Sequence, residues 1–123
     1  MTDRKPSAPK GLGARGRAFW RQVVADFTLD IAELELLTEV ARALDECEAL
    51  HAVVEEQGRT VPGSKGQVRA HPALAELRAT RLMLGRLLAQ LELPNEVGSS
   101  LPSAVQARGR RAARNRWGER GSA

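Results

Sequence analysis

Tyrosine is absent from this chain, and aromatic residues of all kinds make up only 3% of its 123 residues. A sheet-based core draws on aromatic and β-branched side chains, so this scarcity argues for a helical one. Apolar residues still reach 42%, supplied mainly by Leu, Ala and Val, and the first two of these are strong helix formers. The one cysteine, Cys47, excludes an intramolecular disulfide and fits a reducing cytosol. It falls within an apolar helix face, where a small core residue is a better reading than a nucleophile. Long apolar runs are also missing. The longest, Leu82 to Leu93, is interrupted by Arg86 and falls short of the roughly 20 residues that span a bilayer. The first residues are polar and basic, without the apolar stretch of a signal peptide. A soluble, intracellular protein of one domain with tails is therefore expected.

Catalytic and metal-binding patterns are lacking too. Gly63-Ser64-Lys65-Gly66 places a lysine between glycines, but it lacks the Gly-Lys-Ser order and preceding strand of a phosphate-binding loop. His51 lies in an apolar stripe with no second His or Cys one turn away, so a partly buried core or interface histidine is expected there. The carboxylates crowd onto one helix, where a solvated face explains them. No nucleophile, base or metal set emerges, so neither enzymatic activity, a metal nor a cofactor is expected.

The net charge of +4 conceals strong segregation. Residues 1–27 carry six cations against Asp3 and Asp26, a net +4. Residues 28–57 carry nine acids against Arg42, a net −8. Residues 58–93 and 94–123 return to +4 each. Cations at both ends and around the centre point to a polyanionic partner, most commonly nucleic acid.

The organising stretch is Val61 to His71, V-P-G-S-K-G-Q-V-R-A-H, a long connector between two helices. It reads either as a plain loop or as a short β-hairpin pairing Thr60-Val61 with Gln67-Val68-Arg69 across Pro62 to Gly66. Before it, residues 1–13 are rich in Pro, Gly, Ser and Lys and read as a flexible basic arm. A first helix is expected from Ala14 to Phe27, with Trp20, Val23 and Phe27 on its apolar face and Arg17 and Arg21 one turn apart on another.

Asp30 and Glu33 have capping-box spacing and open a second helix, Ile31 to Gln57, which Gly58 ends. Leu37, Val40, Leu44, Cys47, His51 and Val54 recur at helical steps, with Leu36, Ala43 and Leu50 beside them. That face is wider than one partner helix would cover. Leu36, Leu37, Val40, Leu44, Leu50 and Val54 are therefore candidates for an oligomer interface.

Pro72 opens a third helix that ends near Leu93-Pro94. It is lined by Leu74, Leu77, Leu84, Leu88 and Leu91 and should fold back on the second as an antiparallel hairpin. Arg78, Arg81 and Arg86 are expected to pair with the acidic helix. Residues 14–94 thus form an all-α core and oligomerisation domain: an N-terminal helix plus a long helical hairpin. Residues 95–123 form a linker and basic tail. Within them, Ser103 and Gln106 have capping-box spacing, and A-R-G-R-R-A-A-R-N-R from Ala107 to Arg116 has almost no apolar face. Such a segment is expected to order only on a partner, and its arginines suit phosphates.

Two stretches carry a family resemblance. They are P-K-G-L-G-A-R-G-R-A-F-W-R-Q-V, Pro9 to Val23, and P-G-S-K-G-Q-V-R-A-H-P-A-L-A-E-L-R, Pro62 to Arg78. With an acidic helix between them and Leu91-Glu92-Leu93-Pro94 after, the chain resembles the small terminase subunit of tailed bacteriophages. It departs from the family pattern at His71, where Asn is frequent, and at Glu92, where Gly is common. The resemblance implies a non-catalytic DNA-packaging protein, phage- or prophage-encoded, in the cytoplasm of a bacterial host. It implies a ring-forming homo-oligomer that recognises double-stranded viral DNA and presents it to the large terminase subunit, which holds the ATPase and nuclease. The candidate DNA contacts are Arg15, Arg17, Arg21, Lys65, Arg69, Arg108, Arg110, Arg111, Arg114 and Arg116. The competing expectation is a protein–protein module that docks a basic partner on its acidic helix without binding DNA.

Overall fold

The computed structural model describes residues 5–93. The linker, the helix start expected at Ser103, the Arg108 to Arg116 cluster and Trp117 lie outside the described residues. Three helices and one small sheet follow in order: α1 (Ala14–Asp26), α2 (Ile31–Gln57), β1 (Thr60–Pro62), β2 (Val68–Ala70) and α3 (Pro72–Leu91). The protein is mostly helical.

α2 is set by its ends. Asp30 Oδ1 accepts from Glu33 N–H at 2.8 Å while Glu33 Oε1 accepts from Asp30 N–H at 3.0 Å, a reciprocal capping box. Gly58 ends the helix at φ +86°, a backbone conformation that favours glycine. No Gly or Pro interrupts the span, so the helix reaches about 40 Å at ~1.5 Å per residue.

The connector is a hairpin. Thr60 faces Ala70, Val61 faces Arg69 and Pro62 faces Val68 in an antiparallel pair. Gly63 N–H donates to the Gln67 carbonyl, and Gly66 turns the loop at φ +82°. The side-chain Oε1 of Gln67 accepts from Lys65 N–H at 3.0 Å, closing the loop from within.

His71 then starts α3. Its Nδ1 accepts from Ala73 N–H at 3.0 Å, and its Nε2 lies 2.7 Å from Gln57 Oε1. An Nδ1 that accepts leaves the ring proton of the neutral imidazole on Nε2, where it donates to Gln57. One side chain therefore caps α3 and ties it to the end of α2. At the other end Leu91 shares a buried cluster with Leu37 near the start of α2, so α3 runs back along α2. α3 ends at Leu91 rather than near Leu93, because Glu92 adopts the left-handed conformation at φ 53°. The residue before Pro94 is in any case biased away from helix.

α1 crosses α2 where Gly16 meets Ala41 and Asp45. A Cβ on Gly16 would sit 2.4 Å from the Ala41 carbonyl oxygen, so only glycine allows this approach. The core contains Leu12, Trp20, Val23 and Val24 from the N-terminal side, Leu37, Val40 and Ala41 from α2, and Leu91 from α3. Full burial of a Leu or Val side chain stabilises by about 1.5–3 kcal/mol before entropy is counted. Composition alone reads residues 1–13 as a flexible arm. Where it is described, the arm instead lies against α1: Leu12 is buried and Trp20 Nε1 donates to the Pro6 carbonyl at 3.2 Å. An apolar residue and two carbonyl acceptors, Pro6 and Leu12, outweigh the polar composition.

Candidate nucleic-acid interface

α1 distributes its cations over two sides. Arg15 leans toward α2, with Nε 4.0 Å from Glu48 Oε1. An exposed pair of this length contributes little stability, but it sets Arg15 in the acidic field of α2. Arg15 is thus less suited to a phosphate than the sequence implied. Arg17 and Arg21 lie on the other side. Arg17 Nη2 donates to the Leu12 carbonyl, which orients the guanidinium without neutralising it.

Arg17 and Arg21 line a cleft of about 760 Å³ between α1 and the chain at residues 5–11. Lys5 and Lys10 line its opposite wall, and Trp20 contributes to it from α1. Lys5 Nζ is 3.4 Å from the Ala25 carbonyl, a long bond to a neutral acceptor. Among the described residues, no acidic side chain lines this cleft. Among the described residues, none of Lys5, Lys10, Arg17 and Arg21 forms an ion pair. Lys5 and Lys10 are not among the candidates that the sequence suggests. The signals were present in Pro6, Pro9 and a turning Gly11 (φ +89°), which stiffen and bend the segment, and in a tryptophan needing an acceptor for its N–H.

Lys65 and Arg69 are exposed on the hairpin. The structure does not bring them to the cleft. α1 meets α2 at Asp45, whereas the hairpin begins beyond Gln57, about 18 Å further along the helix at ~1.5 Å per residue. Two basic regions therefore stand apart. The exposed carboxylates Glu35, Glu39 and Glu46 of α2 form a separate acidic face. Among the described residues, no ion pair joins Arg78, Arg81 or Arg86 to α2. The expected pairing with the acidic helix is not formed, since these arginines are exposed and hydrated cations gain little from surface pairing. Arg108, Arg110, Arg111, Arg114 and Arg116 lie outside the described residues.

The candidate oligomer interface needs correcting. Leu37 and Val40 are fully buried within one chain and Val54 is 6% exposed, so these three are core residues. Leu36 and Leu44 pack partly buried against the same core, and Leu50 is half-buried. The wide apolar face is divided between α1 on one side and α3 on the other. Large apolar side chains are exposed at other positions: Ile31 at the start of α2, Val68 on the hairpin, and Leu82, Met83 and Leu88 on α3, with Leu82 at 61% and Met83 at 48%. Nor is His51 buried. It is exposed, with Nε2 3.5 Å from Glu55 Oε1 one turn on.

Cys47 is half-buried. Burial pushes its thiol pKa up, Arg81 pulls it down, and Glu46 and Glu48 raise it further. A thiol held protonated is a poor nucleophile. Among the described residues, no group of three or more His, Cys, Asp or Glu is arranged to hold a metal ion, and no helix is long and apolar enough to cross a membrane.

Comparison with protein-family models, with curated proteins and with solved structures finds no match to this chain.

Proposed function

We propose that this protein is a non-catalytic DNA-binding subunit of the small-terminase kind. In this reading it binds viral duplex DNA and presents it to a large ATPase and nuclease subunit in the host cytoplasm. The observation that carries the reading is the set of four cations, Lys5, Lys10, Arg17 and Arg21, gathered without carboxylate partners among the described residues on the side of α1 turned from the acidic helix. Unpaired cations held together by a fold raise the local potential and favour a polyanion over a small ligand. The arginine-rich sequence of residues 108–116 adds to the same balance. The resemblance of Pro9 to Val23 and of Pro62 to Arg78 gives the polyanion its identity as viral DNA. Architecturally the reading takes the chain as one N-terminal helix, a helical hairpin joined by a β-hairpin, and basic tails.

The subunit acts as an oligomer. A second copy covers the outer side of α3, where Leu82 and Met83 are exposed, and repetition of such a contact around an axis closes a ring. The test is binding of the full chain to duplex DNA as a function of salt. A steep loss of affinity with rising salt supports the reading, and absence of binding at moderate salt removes it.

One observation favours a second reading. The exposed face of α2 presents Glu35, Glu39 and Glu46 with only Arg42 among them, a surface fit for a basic protein partner. In that reading the cations serve solubility and the chain binds no DNA.

A further inference from the structure

The cleft between residues 5–11 and α1 has the features of a built anion site rather than a basic surface. Its two walls come from different parts of the chain, and each brings two cations. Lys5 and Lys10 come from the extended segment, Arg17 and Arg21 from successive turns of one helix face. The wall opposite α1 is fixed by the indole of Trp20, itself 4% exposed, whose N–H holds the Pro6 carbonyl. The guanidinium of Arg17 holds the next anchor, the Leu12 carbonyl. Both anchors use neutral acceptors, so the positive charge stays available. Holding like charges together in this way costs energy that no carboxylate among the described lining residues offsets. An anion entering the cleft relieves that repulsion and gains charge-assisted hydrogen bonds from both walls.

We infer that this cleft is a phosphate seat, closing on adjacent phosphoryl groups between Lys5 and Lys10 on one side and Arg17 and Arg21 on the other. The arginines supply planar, forked donors suited to phosphate oxygens, and the lysines supply mobile point charges. The inference rests on the DNA-binding reading only for the source of the phosphate, which is the backbone of bound DNA. A free phosphorylated small molecule presents the same chemistry, and the experiment separates the two.

The discriminating variant is Lys10→Gln with Arg21→Gln. Neither side chain makes a hydrogen bond or ion pair to another described residue, so the fold should be kept, as checked by thermal unfolding. Two probes are used on the full chain: inorganic pyrophosphate by titration calorimetry, and a random-sequence DNA duplex by anisotropy over a range of salt. The expected result is that the wild type binds both, and that the variant loses pyrophosphate binding. Its slope of log affinity against log salt should also become shallower by about 1.8, at ~0.9 for each phosphate no longer neutralised. Pyrophosphate binding lost in the variant, with no DNA binding by the wild type, upholds the seat but assigns it to a free phosphorylated ligand and removes the DNA reading. DNA binding with an unchanged slope in the variant, and no pyrophosphate binding by either protein, overturns the seat and leaves the DNA reading standing on other cations. Binding of neither probe overturns both.

Discussion

Asp45 of α2 closes the N-terminus of α1 at Gly16. Its Oδ1 accepts from Gly16 N–H at 2.7 Å and its Oδ2 from Gly13 N–H at 2.6 Å. The N-cap position of α1 is Gly13, which has no side chain to cap with. A carboxylate 32 residues away in the chain takes that role, satisfying free donors and placing negative charge at the positive end of the helix. The same contact brings α1 close enough to α2 for Gly16 to face the Ala41 carbonyl.

Asp45→Ala should therefore destabilise the protein although it removes no apolar contact. The expected loss is about 1–2 kcal/mol, that of a helix cap, measured by urea unfolding. Gly16→Ala should also destabilise, because overpacking against the Ala41 carbonyl costs about 1–3 kcal/mol and a gain of ~1 kcal/mol in helix propensity offsets only part of it. Wild-type stability in both variants would show that α1 does not dock on α2 as described.

At the start of α3, His71→Ala should lose about 1 kcal/mol by removing a cap, and His71→Asn should retain most of it because Asn also accepts at that position. Equal losses for the two variants would mean that the bond to Gln57, which Asn is too short to keep, is the larger contribution.

Cys47 gives a pH dependence whose sign is fixed. Burial raises its thiol pKa above the ordinary value, partly countered by Arg81. The folded state therefore favours the neutral thiol. That contribution is full below the unfolded pKa and is lost as pH rises through the raised folded pKa, so it weakens only in alkaline solution. Iodoacetamide at mildly alkaline pH should alkylate the folded protein more slowly than the same chain in urea, and Cys47→Ser should flatten the alkaline fall in stability. Faster alkylation in the folded state would contradict the assignment.

Core residues and the proposed contact face of α3 separate by experiment. Leu37→Ala should cost about 2–5 kcal/mol and appear as loss of folding. The pair Leu82→Glu and Met83→Glu should leave the folded chain intact while light scattering on a sizing column reports dissociation of a discrete oligomer. A wild-type monomer would show that α3 needs no second copy.

Much of the fold is legible in the sequence because it is encoded locally. Asp30 with Glu33, Gly58 and Pro72 mark helix ends within a few residues of the groups they serve, so the bounds of α2 and the start of α3 follow from spacing alone. Val61 and Arg69 face each other across a loop whose glycines make both a hairpin and a plain loop reasonable, and only the ladder decides. The site is less legible because it is tertiary. Nothing adjacent to Gly13 announces Asp45, and Lys5 and Lys10 join Arg17 and Arg21 only once Trp20 has fixed the segment against α1. Periodicity finds the apolar face of α2 but does not say what covers it. Leu37, Val40 and Val54 accordingly read as an interface between chains although the chain's own helices bury them.

The most direct test of DNA binding is the affinity of the full chain for random-sequence duplex DNA, measured by anisotropy from low to moderate salt. Four cleft cations alone predict a linear fall of log affinity with log salt of slope about −3.6, at ~0.9 per neutralised phosphate, and steeper if the tail arginines engage. No binding at low salt, or an affinity indifferent to salt, would contradict the claim that this protein binds DNA through its basic surfaces.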